Sequence, residues 1–328
     1  MELAVYLPLV IPVLAALAAR PLADRLPPVV ATWLLTASAL ALALTSSAVL
    51  GLLAMSALVR IPFVAAIAHM SVPVVSRSDS VSVPVAIVAG ALLAAAAAAA
   101  TRALWRRGDA IVAAGRQARR LPGAGQVVVT EDYAADAYTL PGWPCRIVIT
   151  SGMLRVLSGP ERDVLLAHER SHAAGSHYLF TSAARLAAAA NPLLRPVAAQ
   201  VGYTVERWAD ERAAAATGSR PLAARAIARA ALASSAAPPE RDGPLTVLGI
   251  VTPEDARQDR VRHRFRGHGL RAPGPVPRRV AALLGPPPRT RLLLIGGAVA
   301  LVAISGLSAL DAAVSLHALV ELAQGPAG

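Results

Sequence analysis

The sequence predicts a predominantly α membrane protein: four transmembrane helices, with an α+β domain built on a small sheet between the third and the fourth. Three observations carry this. Hydrophobic residues make up 55% of the 328 positions and mean hydropathy is +0.52, whereas a soluble domain is about half apolar. Charge is segregated: all 32 basic residues are arginine, and 28 lie between Arg102 and Arg291 against 15 acidic residues, while the rest of the chain holds 4 arginines and 5 acids. Four apolar stretches also approach the roughly 20 residues that a helix needs to cross a hydrocarbon core. Together these exclude a disordered chain, a disulfide scaffold and a single soluble domain. Cys145 is the one cysteine, so neither an intrachain disulfide nor a cysteine-based metal cage is available.

The first span is expected over about 3–19. Glu2 precedes it and Arg20 and Arg25 follow it, the reverse of the polarity of a cleaved signal peptide. The second covers 29–59 and is long enough to cross with tilt. The third covers 83–104; its unbroken alanines from Ala94 to Ala100 pack closely against neighbours but are weakly lipophilic, so an inner position is expected. The fourth covers 291–310. Cytoplasmic flanks collect positive charge. Arg20 and Arg25, then Arg102, Arg106, Arg107, Arg116, Arg119 and Arg120, then Arg289 and Arg291, all fall on one side; Asp311 and Glu321 fall on the other. The expectation is a multi-pass plasma-membrane protein with both termini outside, residues 105–290 cytoplasmic, and a short extracytoplasmic tail over 311–328. The net charge of +12 then reflects topology and attraction to anionic headgroups. No aromatic interleaving for base stacking accompanies it, so the bilayer is an expected partner and nucleic acid is not.

Within the middle region, 105–120 reads as a basic helix ended by Gly123 and Gly125. Gln126–Thr130 and Arg146–Thr150 are β-branched runs of strand length. Between them lies Asp136 to Gly142, where Pro and Gly mark a turn, so the region starts as a small sheet. Ser158-Gly159-Pro160-Glu161 has capping-box spacing, which predicts a helix from there to about Gly175. Residues 178–216 are helical in pattern, interrupted by Asn191-Pro192. The stretch 181–201 is apolar enough for a span, but Arg185, Arg195 and the Asn-Pro pair argue for buried or membrane-apposed helices. A domain over 105–232 is expected, followed by a Pro/Gly/Arg-rich segment, 233–290, with one helix from Thr252 through Arg264.

The helix after the capping box contains His168-Glu169-Arg170-Ser171-His172. Residues i and i+4 share a helical face, so both imidazoles can bind one Zn²⁺ ion, with Glu169 at the edge of that face. A catalytic zinc needs a third protein ligand and an open position. Glu206 is the candidate, with Asp210 one turn on as acceptor for a ligand imidazole N–H. Taken singly, Glu206 reads better as a solvated charge near Arg207 and Arg212, as Asp210 can too, worth a few tenths of a kcal/mol; together with HExxH, the order and spacing favour the ligand reading. His177 competes as third ligand, since His168, His172, Gly175 and His177 nearly reproduce HExxHxxGxxH. It falls nine positions after His168 where that pattern needs ten, and one residue turns a helical side chain by about 100°. His69, His263, His268 and His317 are read as loop, solvated or outer-side residues.

HExxH, an Asn-Pro break and then Glu206-Arg207-Trp208-Ala209-Asp210 resemble the integral-membrane zinc metallopeptidases of the β-lactam sensor-transducer (BlaR/MecR) type. They are also similar to the heat-shock and CAAX-prenyl membrane proteases. Ala137 to Gly142 and Ile147 to Gly152 resemble the strand, turn and strand that precede the zinc helix in those proteins. The resemblance covers about 125–216 and implies a cytoplasmic zincin-like domain with His168, His172 and Glu206 on Zn²⁺ and Glu169 as general base. The sensors continue into a penicillin-binding domain and this sequence ends at Gly328, so β-lactam sensing is not expected. The strand 146–150 is expected to offer an edge to an extended peptide. Tyr203, His177, Arg212 and His263 are the candidates for stabilising the transition state. The expected activity is hydrolysis of a cytoplasmic or membrane-proximal protein in signalling or regulated proteolysis, with a transcriptional repressor as one possible substrate. The alternatives are a quality-control protease and a non-catalytic regulator that keeps the fold.

Overall fold

The computed structural model describes residues 3–58, 83–143, 145–235 and 274–324. A 3-10 turn, Leu3–Tyr6, leads into α1 (Leu7–Arg25), α2 (Pro28–Leu58) and α3 (Val83–Arg120). Strands β1 (Val127–Thr130), β2 (Ala137–Leu140) and β3 (Arg146–Thr150) follow. Next come α4 (Ser151–Val156), α5 (Gly159–Gly175), α6 (His177–Ala190), a 3-10 turn at Pro192–Leu194, α7 (Arg195–Thr217) and α8 (Arg220–Ser235). The last elements are α9 (Pro275–Leu284) and α10 (Leu292–Gln324). Helices α1, α2, α3 and α10 are long and apolar enough to cross a membrane.

The sheet has the order β1-β3-β2, with β1 parallel and β2 antiparallel to β3. Residues 137–140 form the strand that the resemblance implies: Ala-Tyr-Thr-Leu pairs with β3 in the register Ala137↔Ile149 to Leu140↔Arg146, and turn chemistry is confined to Pro141-Gly142. One expectation changes here. Because β2 takes that side, β3 is the central strand, buried at all five positions, and presents no edge. The Arg146 guanidinium on β3 donates to the carbonyls of Leu121, Gly123 and Gly125, which satisfies acceptors of the loop that follows α3.

The α6–α7 pair packs into the bundle of apolar helices. Ala184, Ala187 and Ala188 of α6 and Val197, Val201 and Tyr203 of α7 share one core with Ile11, Ala19 and Leu22 of α1 and Leu35, Ala39 and Leu42 of α2. Polar contacts set its depth. Thr32 of α2 donates to Thr204 of α7 at 2.9 Å, and further along α2 the Ser46 hydroxyl accepts from the Asn191 amide at 3.1 Å. Fourteen residues separate Thr32 from Ser46, about 21 Å at 1.5 Å per residue, so these two contacts span nearly half of the 31-residue α2. Asn191 also caps the following turn by accepting from Leu193 N–H at 3.1 Å. These are the buried helices expected over 181–201.

That hairpin takes the inner place expected for the third span. Only 11% of the apolar window of α3 is buried, against 33% for α1 and α2. Ala86 and Ala89 meet the bundle, while the alanine run beyond them is exposed or half-buried; small residues admit close packing but do not determine which helix uses it. Helix α10 continues to Gln324, well beyond the span expected to end at 310, because no proline stands between Leu292 and Gly325 and the helix carries through the Gly296-Gly297 pair and Gly306. Helices α8 and α9 were not anticipated as elements. The helix expected over 252–264 lies outside the described residues.

Candidate metal centre

Helix α5 starts as the sequence predicts. Ser158 and Glu161 form a capping box, in which Glu161 Oε2 accepts from Ser158 N–H at 3.0 Å and from its hydroxyl at 2.8 Å. Glu161 is buried and also receives Arg229 of α8 at 2.8 Å, with Arg225 at 3.5 Å. Burial alone would raise its carboxyl, but the Ser158 bonds and Arg229 outweigh it and hold the group below its ordinary value. One residue thus starts the helix and attaches α8 to it.

Two turns further along α5, His168 Nε2 and His172 Nε2 lie 3.1 Å apart. Glu206 of α7 faces both, with Oε2 at 3.6 Å from His168 Nε2 and Oε1 at 3.5 Å from His172 Nε2. The three donor atoms lie within 4.8 Å of one another. Four-coordinate zinc at about 2.0–2.2 Å from each donor needs pairwise separations near 3.2–3.6 Å, so two imidazoles and a carboxylate in this spacing fit the ion and leave a position free.

Two further carboxylates border the cluster in contrasting surroundings. Asp210, one turn beyond Glu206, sits with Oδ1 at 3.0 Å from His168 Nδ1. It receives two bonds from Arg279 of α9, Nε to Oδ2 at 2.7 Å and Nη2 to Oδ1 at 2.6 Å. The same guanidinium reaches Glu206 Oε2 at 3.0 Å through Nη1. Burial opposes ionisation of Glu206 and Asp210, but Arg279 and the histidines keep both carboxyls well below their usual range. Among the described residues no guanidinium pairs directly with Glu169, on which Arg279 acts only as one of the weaker opposing charges. It accepts from the Thr139 hydroxyl of β2 at Oε2, 2.8 Å, and burial pushes its carboxyl upward, with His168 and Thr139 opposing. The histidines divide too. Burial acts against charge on His168, yet Asp210 and Glu206 push it up to about 10, whereas burial brings His172 down to about 4.

Of the residues singled out from the sequence, His168, Glu169, His172, Glu206, Asp210 and His177 come together. His177 Nδ1 lies 3.0 Å from His172 Nδ1. Tyr203 does not join them: its ring belongs to the bundle core, has Arg278 over its face at 3.9 Å and bonds Asp24 of α1. Arg212 is exposed, with its charge felt at His177. His263 lies outside the described residues. Thr139 and Arg279 were missed. Thr139 lay in the stretch that the resemblance made a strand, and no role was assigned to it. Arg279 lies 69 residues beyond Asp210 and looks like any other arginine of a basic region; the available signal was the rule that a buried carboxylate needs a counter-charge.

No curated protein and no solved structure matches the chain. Residues 109–198, from within α3 to the start of α7, match the family described as Peptidase family M48, whose members are typically zinc-dependent. The matched segment contains His168, Glu169 and His172 and stops short of Glu206, and it supports a metallopeptidase-family domain at the centre of the chain.

Proposed function

We propose that the chain is a membrane-embedded zinc endopeptidase with His168, His172 and Glu206 as metal ligands and Glu169 as general base. One observation carries the reading: two imidazoles and a carboxylate converge at zinc-like spacing beside a buried carboxyl whose proton affinity is raised. Zinc in such a site supplies Lewis-acid polarisation of the scissile carbonyl and acidifies water to a pKa near 7. The chain's own groups then have distinct tasks. Glu169 Oε2 is occupied by the Thr139 hydroxyl, which leaves Oε1 to take the proton of the attacking water and deliver it to the departing amine. Asp210 Oδ1 stands 3.0 Å from His168 Nδ1, placed to orient its N–H and keep Nε2 turned inward. Arg279 neutralises the two ionised carboxylates that the reaction must leave unprotonated.

Substrate access follows from the sheet. Among the described residues β2 pairs only with β3, and Thr139 of β2 bonds Glu169. The outer edge of β2, not β3, is therefore where an extended peptide would add as a strand next to the base. The cluster also lies close to the start of an apolar helix. Thr204, two residues before Glu206, bonds Thr32, which is four residues, about 6 Å, from the first residue of α2. This supports a membrane-proximal substrate segment. The arginine distribution supports a cytoplasmic placement of the site, and the order of spans supports regulated proteolysis of the sensor-transducer kind.

The test uses the full chain purified in detergent or reconstituted in vesicles. One zinc per chain, and peptide hydrolysis lost in Glu169→Gln with zinc retained, are the expected results. A chain that takes up no zinc, or a Glu169→Gln variant that cleaves as the parent does, overturns the reading. Reporter fusions near residue 240 should read cytoplasmic; an external signal there overturns the compartment alone.

A further inference from the structure

The outer partners of the two ligand imidazoles differ. His168 Nδ1 faces a carboxylate, Asp210, at 3.0 Å. His172 Nδ1 faces another imidazole, His177 Nδ1, at 3.0 Å. A histidine whose Nε2 is turned to a metal carries its proton on Nδ1. His172 Nε2 is turned to His168 and Glu206, so its Nδ1–H points at His177, and His177 Nδ1 must be the acceptor.

The local backbone is shaped around this contact. Helices α5 and α6 are joined by Ser176 alone, at φ 47°, the one non-glycine residue with a left-handed backbone among the described residues. Gly175 precedes it, and a Cβ at that position would stand 2.4 Å from His177 Nε2 and 2.5 Å from its Cδ2. The absent side chain is thus the space the ring occupies. On the other side the ring packs against Trp208 of α7 at 4.6 Å between centroids, two residues after Glu206. His177 is 2% exposed. A glycine, a left-handed residue and an indole from a second helix all fix one imidazole behind His172.

We propose that His177 is a positioning residue: it accepts the Nδ1–H of His172 and thereby holds that ring with Nε2 directed at the metal cluster. This rests on the metal-centre reading above, and it removes His177 from the candidates for transition-state stabilisation, because the nitrogen nearest the cluster is engaged with His172. A neutral imidazole in this place orients a ligand without adding charge, while Asp210 orients the other ligand and adds a negative charge.

The experiment compares two variants of the full chain. His177→Phe keeps a ring against Trp208 and removes the acceptor; His177→Asn puts an amide oxygen near the position of Nδ1. Zinc affinity is measured by chelator competition, and peptide hydrolysis at saturating zinc gives kcat and KM. His177→Phe is expected to bind zinc about 10- to 100-fold more weakly, with KM unchanged, and His177→Asn to stay within about threefold of the parent on the same scale. Gly175→Ala, whose methyl displaces the ring, is expected to behave like His177→Phe. Parent-like zinc affinity in His177→Phe overturns the proposal, as does an equal loss in both position-177 variants, which would make the role one of packing. A parent chain without zinc uptake instead removes the metal-centre reading on which the proposal stands.

Discussion

The two walls of the metal cluster are built from the same kind of residue and treat it in opposite ways. On the α5–β2 wall, Glu169 is buried with a neutral hydroxyl, Thr139, as the side chain bonded to it. On the α7–α9 wall, Asp210 is equally buried but held by a two-bond guanidinium, Arg279, which also touches Glu206. The first environment raises a carboxyl's affinity for a proton and the second lowers it. Pairs of titratable groups pushed apart in this way mark the division between a group that moves a proton and groups that stay charged. The difference supports the proposed roles on grounds separate from the HExxH pattern.

The strongest way to break that assignment is to neutralise each wall in turn. Glu169→Gln keeps the shape and the Thr139 contact but cannot take a proton. Hydrolysis should fall by about 10²- to 10⁴-fold while zinc content is unchanged; retained activity would mean that another group is the base. On the other wall, Arg279→Met leaves Asp210 and Glu206 without their cation. Removing one member of a buried charge pair costs about 3–5 kcal/mol, so thermal unfolding should come at markedly lower temperature. An unchanged melting profile would show that solvent reaches Asp210 and that the ionic wall is decorative.

The two walls also differ in how far the sequence revealed them. The α5 wall is local: the 3.6-residue period brings His168 and His172 onto one face, and the capping box at Ser158 gives the helix start. Glu206 and Asp210 follow the same i, i+4 logic on their own helix, so their mutual geometry was legible although their approach to α5 was not. Arg279 comes from α9, across a long stretch of chain, and no periodicity links it to Asp210. The same limit applies to the bundle. Span lengths follow from hydropathy, but which helix lies inside depends on pairings such as Asn191 with Ser46, between residues 145 positions apart. Strand β2 was legible only through the resemblance: Ala137 to Leu140 carry less signal of their own than the Pro141-Gly142 turn that follows, and pairing to β3 fixes their register.

A finer probe of the neutral wall is Thr139→Val, which removes the hydroxyl and keeps the branched shape on β2. Loss of one hydrogen bond to a carboxylate near the reacting atoms should lower kcat/KM by about tenfold, equivalent to about 1.4 kcal/mol, and Thr139→Ser should restore most of it. Equal activity in the Val variant would mean that Glu169 needs no help in orienting.

The smallest effect belongs to Glu161, which lies behind the cluster and tests whether the position of α5 depends on an ionised cap. Its carboxyl titrates below its ordinary value in the folded chain. A group of this kind contributes stability that is fully present above its unfolded pKa, about 4.3, and is lost as pH falls through the lower folded value. The parent should therefore lose stability on acidification below about pH 5, and Glu161→Gln should flatten that part of the curve while being less stable at neutral pH. Ser158→Ala removes only the cap hydroxyl and should cost about 1 kcal/mol. Because the capping box and Arg229 act on the same carboxylate, the Ser158→Ala and Arg229→Met effects should not add. Additive losses would mean that the helix start and the α8 contact are held independently, and that α5 is positioned by its apolar face alone.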